Sequence, residues 1–144
     1  MKIEHVLLAE GVAADVRGAM TLVGFNQRVI NSPSLPFSFR QTLIVSLIDE
    51  EGVGGAATSA QISVNLTSPE GDSAFAFTQT VQIPSKAAKE TAVFTNIAID
   101  VPFSGVSYGT YRLKVSWRQA GMSNEEREIS VYVVNPADPD RSAD

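Results

Sequence analysis

The chain has few side chains suited to acid–base or metal chemistry. Histidine is the side chain that best transfers protons near neutral pH, and His5 is the single histidine among 144 residues. It lies among Ile3, Leu7 and Ala9, a pattern more typical of a packed or bordering strand residue than of a general base. A zinc site would have to combine His5 with carboxylates alone, because the sequence has no cysteine. We therefore predict no catalytic residue, no metal site and no cofactor.

The acidic run at residues 49–51 (Asp-Glu-Glu) is the second candidate for chemistry. Calcium takes oxygen ligands, and loops between strands can supply them. The run lacks a spaced Asp-x-Asp and a matching acidic loop, so a solvated turn is the preferred interpretation and calcium binding stays open. The glycines at residues 52–55 are followed by neither a Lys-Ser/Thr pair nor a helix, so they predict a flexible loop rather than a phosphate cradle.

A third cluster is the basic row of Arg112, Lys114 and Arg118, with Tyr111 and Trp117 interleaved. Basic strands with aromatic side chains can stack nucleic-acid bases. Successive side chains of a strand point to opposite faces, so these aromatic residues lie on the face away from the basic row. The row therefore predicts a solvent-exposed face rather than a base-stacking surface.

Charge supports the same conclusion. Glu126 and Glu128 share a face of the next segment, and opposite charges across an antiparallel pair contribute about 0.2–1 kcal/mol each. We therefore expect them to neutralise the basic row. The net charge of −5 repels polyphosphate backbones and anionic lipid. We expect no nucleic-acid partner and no membrane partner.

The alternation around the basic row is the strongest structural signal. Tyr111, Leu113, Val115 and Trp117 alternate with polar residues, which is the period of a half-buried strand, so we expect these four side chains to point inward. Similar alternation recurs along the chain, and no stretch carries a convincing helical stripe. We count about eight strands at the spacing of an all-β sandwich. The sequence predicts a single antiparallel sandwich over residues 1–134 and a flexible tail over residues 135–144.

Length and composition allow such a core without covalent support. A domain of 144 residues buries roughly 68–70% of its unfolded surface, and the lack of cysteine excludes a disulfide framework. The N-terminal stretch does not follow the order of a signal peptide. No run approaches the roughly 18 apolar residues of a membrane span. We therefore expect the protein to stay in the cytoplasm.

Four hydrophobic motifs with a glycine and a proline mark the N-terminal third: residues 5–10 (His-Val-Leu-Leu-Ala-Glu), 21–26 (Thr-Leu-Val-Gly-Phe-Asn), 35–36 (Leu-Pro) and 43–45 (Leu-Ile-Val). This part of the chain resembles the opening of a widespread bacterial family of short all-β proteins, a domain family of unknown function. The resemblance covers about the first fifty residues and implies no activity.

The later pattern Gly109-x-Tyr111-x-Leu113-x-Val115 is similar to the tyrosine corner of immunoglobulin-like sandwiches. Leu113 stands where antibody domains place a disulfide cysteine, and the single tryptophan, Trp117, lies on this late strand. Without a cysteine pair, an antibody-type domain is excluded. The resemblance implies an immunoglobulin-like or C2-like sandwich.

Three classes of function stay open. A non-catalytic binding or protein-interaction module is the first choice, because sandwiches present loops and edges for recognition and the chain lacks paired catalytic chemistry. The alternative is a structural subunit of a homo-oligomer, in which an exposed edge such as residues 62–66 pairs with a second copy. A carboxylate-dependent hydrolase is less favoured and would need two acids within about 5–10 Å. We expect a protein partner.

We expect that partner to bind loops at one end of the sandwich. If the strands alternate up and down, one end holds both termini and three short loops, at residues 31–36, 68–72 and 103–107. The other end gathers the longer loops, at residues 11–19, 50–57, 84–90 and 119–124. Longer loops on a rigid scaffold commonly carry recognition. The predicted binding residues on these loops are Asp15, Arg17, Glu50, Glu51, Lys86, Lys89 and Met122.

Overall fold

The computed structural model describes residues 1–16, 19–25, 28–49, 58–83 and 93–138. Within these ranges the regular elements are strands: β1 (Lys2–Ala9), β2 (Gly11–Ala14), β3 (Met20–Val23), β4 (Val29–Asn31), β5 (Phe37–Asp49), β6 (Thr58–Thr67), β7 (Ser73–Ile83), β8 (Val93–Gly105), β9 (Gly109–Gln119) and β10 (Glu125–Val134). The all-β prediction is confirmed. The described residues form ten strands rather than about eight, because residues 11–14, expected in a loop, form β2, and residues 20–31 contain two short strands, β3 and β4.

The strands form two packed sheets and a separate hairpin. One sheet has the order β1-β5-β8, the other has the order β4-β10-β9-β6-β7, and β2 pairs with β3. Neighbouring strands are antiparallel except β4, which runs parallel to β10. The prediction of a wholly antiparallel sandwich is therefore wrong at β4. β4 runs toward the same end of the sandwich as β10. The chain then crosses at that end to the other sheet, where β5 begins.

One apolar core fills the space between the sheets. The inward residues of β9 are at most 1% exposed: Tyr111, Leu113, Val115 and Trp117. The three-stranded sheet contributes Leu43, Val45, Leu47, Val101 and Phe103. Burial of each such side chain stabilises the fold by about 1.5–3 kcal/mol. The predicted inward parity of β9 is confirmed, and the basic row is exposed as expected.

The two ends of the sandwich are named here by the residues they carry. At the Met1 end, β1 begins opposite the end of β5, with Lys2 paired to Ile48. At the Pro36 end, β5 begins opposite the end of β8, with Phe37 paired to Gly105. The loops at residues 31–36, 68–72 and 103–107 join strands at the Pro36 end, as predicted.

The other predicted positions of loops and termini, which assumed strands that alternate up and down, differ from the structure. The segment that follows β1 leaves toward the Pro36 end, because β1 runs antiparallel to β5 and its last residue, Ala9, pairs with Thr42 near the middle of β5. Residues 11–19 were expected at the other end. Val134, the last residue of β10, pairs with Asn31 and lies at the Pro36 end. The first strand therefore begins and the last strand ends at opposite ends of the sandwich, whereas both termini were expected at one end. The chain reverses inside the β2–β3 hairpin, and this local reversal breaks the simple alternation.

The predicted edge over residues 62–66 is also wrong. These residues belong to β6, which pairs with β7 on one side and β9 on the other. The outer strands of the sheets are β4, β7, β1 and β8. The alternation along β6 indicates that one face of the strand is exposed to solvent. An interior strand of a two-layer sandwich shows the same alternation as an edge strand, so the pattern does not distinguish the two.

Candidate functional site

The structure describes two of the seven predicted binding residues, Asp15 and Met122. The other five lie outside the described residues: Arg17, Glu50, Glu51, Lys86 and Lys89. Asp15 lies in the β2–β3 connection, where its Oδ1 accepts a hydrogen bond from the backbone N–H of Ala19 at 3.0 Å. Met122 lies at the Met1 end, with its Sδ 3.5 Å from the α-amino nitrogen of Met1. Asp15 and Met122 are therefore attached to opposite ends of the sandwich.

The residues considered for acid–base or metal chemistry are also dispersed. His5 is exposed on β1, and its Nε2 lies 4.0 Å from Oε1 of Glu4. Asp49, the described residue of the acidic run, has its Oδ1 4.0 Å from the α-amino nitrogen of Met1. Within the described ranges, no three His, Asp or Glu side chains gather as they would around a metal ion.

The basic row pairs with acids across β9 and β10. Nη1 of Arg112 lies 3.2 Å from Oε1 of Glu128, and Nζ of Lys114 lies 4.0 Å from Oε2 of Glu126. The predicted neutralised face is confirmed for these pairs. Each carboxylate faces its own cation on an open surface, so these acids are not positioned as a pair around a substrate bond.

Large exposed apolar side chains concentrate at or beside the Pro36 end. Among the residues that the structure describes, this group comprises Val23, Phe25, Val29, Leu35, Val106 and Tyr132. Val106 is 77% exposed and Phe25 is 58% exposed. Phe94 and Met122 at the Met1 end, and Val16 in the β2–β3 connection, belong to the same class. Clustered exposed apolar side chains mark contact surfaces more often than scattered ones do. We call the six-residue group the apolar rim.

Hydrogen bonds hold the loops that carry the apolar rim. The Tyr108 hydroxyl donates to the backbone oxygen of Ser32 at 2.9 Å, which joins the loop of Leu35 to the loop of Val106. The Tyr111 hydroxyl donates to the backbone oxygen of Ser107 at 3.0 Å. Because both tyrosines fix backbone atoms, Leu35 and Val106 are displayed by loops whose conformation is specified by the fold.

Packing inside the Pro36 end supports these bonds. The rings of Phe37 and Tyr111 meet edge to face with centroids 5.5 Å apart, a favoured aromatic geometry. Gly105 leaves the space that the Tyr111 hydroxyl occupies, because a Cβ at Gly105 would overlap that oxygen. Glycine is therefore required at this position for the tyrosine to reach Ser107.

The turn at residues 68–72 completes this end of the sandwich. Ser68 and Asp72 are joined by a backbone hydrogen bond of 2.8 Å, and Gly71 takes the left-handed conformation with φ of 93°. The Ser107 hydroxyl, with smaller contributions from the backbone N–H of Glu70 and the Ser68 hydroxyl, holds the pKa of Glu70 below its ordinary value. The turn therefore places a carboxylate beside the loop of Val106.

The apolar rim continues onto the outer face of the five-stranded sheet. Val29 and Tyr132 are paired neighbours on β4 and β10, and both point outward. Arg28 fixes this strip, since its backbone oxygen accepts from the N–H of Tyr132 at 2.8 Å and its Nε donates to the backbone oxygen of Ser130 at 3.0 Å.

An open groove of about 480 Å³ adjoins the strip, lined by Thr67, Ser68, Pro69, Gly71, Thr110 and Arg112. Thr110 pairs with Tyr132, so the groove and the apolar strip are continuous. A second open groove of about 420 Å³ lies on the same face toward the Met1 end, around Arg118 and Asn124. Polar groups with a cation beside apolar anchors are typical of a protein-contact surface.

Sequence reasoning missed the apolar rim. The one local signal was an apolar residue inside a short turn, Val106 between Gly105 and Ser107. The other members follow or belong to short strands whose exposure depends on which sheet they join.

The amino-acid sequence matches no protein-family model and no curated protein. Across the described part of the chain, no helix has the length and apolarity to span a bilayer.

Proposed function

We propose that the chain is a non-catalytic, immunoglobulin-like binding module that recognises another protein in the cytoplasm. Sheets of order A-B-E and C′-C-F-G characterise such sandwiches. The order β1-β5-β8 opposite β7-β6-β9-β10 is consistent with that arrangement, with β4 added beside β10. The bond from Tyr111 to Ser107, four residues upstream near the start of β9, has the geometry of a tyrosine corner.

The apolar rim is the observation that carries the proposed function. Val106 and Phe25 stay exposed to water and so contribute little to folding, and clustered apolar groups of this kind are typical of surfaces that a partner covers. The loops beneath the rim are hydrogen-bonded, so little ordering free energy is spent on binding. Charged groups border it at Arg28, Glu70 and Arg112, giving the polar margin of a protein interface.

A protein fits this surface better than a small molecule. Leu35 and Val106 lie on end loops, whereas Val29 and Tyr132 lie on the adjoining sheet face, so the exposed apolar groups turn a corner of the sandwich. The groove beside them is open. Small-molecule sites are concave and enclose most of the ligand, and a surface around a corner is covered only by a partner of comparable size.

The test is affinity capture from extract of the source cells with the folded chain as bait. The Val106→Asp variant places a charge in the apolar rim, and Phe94→Asp places the same charge on an exposed apolar residue at the Met1 end. We expect the partner captured by the wild type to be lost with Val106→Asp and kept with Phe94→Asp. Thermal melts must show that both variants remain folded.

Two results would refute this function. The wild type and Val106→Asp could capture the same proteins in equal amounts, which would move the contact surface away from the Pro36 end. The wild type could also capture nothing above the level of an unrelated folded bait, which would remove the support for a protein partner.

A further inference from the structure

The outer edges of the sheets differ in how they are protected. An edge strand exposes unpaired backbone donors and acceptors, and proteins guard such edges with short length, charge or proline. β4 is three residues long. β1 carries Lys2 and Glu4, and β8 carries Asp100 and Pro102. Three of the four edges therefore have a feature that discourages pairing with another strand.

The fourth edge, β7, has none of these features. Ser73–Ile83 runs for 11 residues without a charged residue or a proline, a length of about 36 Å. It pairs with β6 on one side, and no strand of the described residues pairs with its other side. Its sequence is rich in the aromatic and β-branched residues that favour strand pairing.

The inner face of β7 is incompletely covered. The five-stranded sheet is wider than the three-stranded sheet opposite it, so Phe75, Phe77 and Val81 are only partly buried against the core. The rings of Phe75 and Phe77 lie nearly parallel with centroids 6.4 Å apart. Gln79, which pairs with the buried Ile62 on β6, is exposed on the same face. A strand added at this edge would cover these side chains.

We propose that β7 pairs antiparallel with β7 of a second copy of this chain, so that the two five-stranded sheets become continuous. A two-fold axis places the same strand opposite itself. Like charges that face each other across an antiparallel pair are destabilising, and β7 brings none together. The same pairing at β1 or β8 would bring charged residues into the contact, and Pro102 of β8 has no backbone N–H to donate.

Self-pairing also matches side chains along β7. In a two-fold antiparallel pair, the beginning of one strand faces the end of the other, so Phe75 and Phe77 approach the part of the partner strand that carries Val81. Aromatic and β-branched residues form favourable cross-strand pairs. The hydroxyls of Thr78 and Thr80 lie on the outer face, where they remain accessible to water after the two strands pair.

The contact between the two β7 strands is narrow, so we expect the dimer to be weak. A single strand pair buries less than the roughly 1,200 Å² typical of stable interfaces. We therefore expect association that increases with protein concentration and reverses on dilution. The surface is separate from the apolar rim, so this proposal and the proposed function fail independently.

The experiment is sedimentation velocity of the full chain from low to high micromolar concentration. Gln79→Lys places a lysine on the inner face of the edge, where natural edge strands carry such guards. The control is Gln61→Lys, which makes the same substitution on the outer face of β6, one strand inside the edge. We expect the average mass of the wild type and of Gln61→Lys to rise from 15.4 kDa toward twice that value. Gln79→Lys should stay monomeric.

Amide hydrogen exchange locates the interface in the same samples. Slower exchange of residues 73–83 at high concentration supports the proposal, whereas concentration-dependent protection confined to other strands overturns it. A wild-type mass that stays monomeric at every concentration overturns it, as does equal association of the two lysine variants. Thermal melts check folding, and Thr80→Lys supplies a second edge variant if Gln79→Lys unfolds.

Discussion

The hydroxyl of Tyr111 is the atom whose removal tests the architecture of the Pro36 end most directly. Tyr111→Phe deletes one oxygen and leaves a ring that is fully buried. The lost hydrogen bond, 3.0 Å long, runs to the backbone oxygen of Ser107. The edge-to-face contact with Phe37 is retained. The change therefore isolates the hydrogen bond from the packing of the ring.

The expected cost follows from the surroundings of that bond. A protein hydrogen bond contributes about 0.5–1.5 kcal/mol net, and a buried carbonyl left unpaired adds about 1–3 kcal/mol. The Ser107 carbonyl is in a partly buried bond, so water recovers part of the second contribution. We expect Tyr111→Phe to lower the free energy of unfolding by about 1–2 kcal/mol.

Urea denaturation followed by tryptophan fluorescence measures this loss, since Trp117 is buried on the same strand. The midpoint should fall with an unchanged slope. Tyr132→Phe is the matched control, because Tyr132 is exposed, and it should change stability by less than about 0.5 kcal/mol. A Tyr111→Phe protein as stable as the control would refute the reasoning.

Gly105→Ala tests the same contact from the other side. The added methyl group would overlap the Tyr111 hydroxyl and lie 3.1 Å from Cε1 of Phe37. Overpacking of this kind costs about 1–3 kcal/mol. The cost should be smaller in the Tyr111→Phe background, where the overlapping oxygen is absent. A double-mutant cycle measures this coupling, and strictly additive losses would show that the two groups do not meet.

Two further predictions concern charge. Val115→Asp puts an unpaired carboxylate into the core and should unfold the domain, whereas Lys114→Ser on the exposed face should cost less than about 0.5 kcal/mol; similar thermal melts for both would contradict the parity of β9. Glu70 should titrate below its ordinary pKa in NMR experiments, and Ser107→Ala should raise that pKa. Because the folded-state pKa is lowered, ionised Glu70 favours the folded state above the ordinary carboxyl pKa, and this contribution disappears as pH falls through the lowered pKa. An unchanged pKa in Ser107→Ala would exclude the hydroxyl as the cause.

Local pattern predicted much of the structure around β9. The alternation from Tyr111 to Trp117 indicated the buried face, and Glu126 and Glu128 were expected opposite the basic row. Both follow from a period of two residues, which is a property of a single strand and its sequence neighbours. The spacing after Gly109 also indicated a tyrosine near the start of a late strand, because a short motif of this kind involves residues only four apart.

The tertiary structure decided where strands lie relative to one another. Alternation is the same for an interior strand and an edge strand, so the sequence did not distinguish β6 from β7 or show the parallel pairing of β4. It also did not show that the chain reverses within the β2–β3 hairpin, which separates Asp15 from Met122. The sequence by itself determined which side chains of a strand share a face, because that depends on neighbouring residues. Edges, ends and the apolar rim were decided by pairing between distant segments, because exposure of Val29 or Val106 depends on what the rest of the chain places beside it.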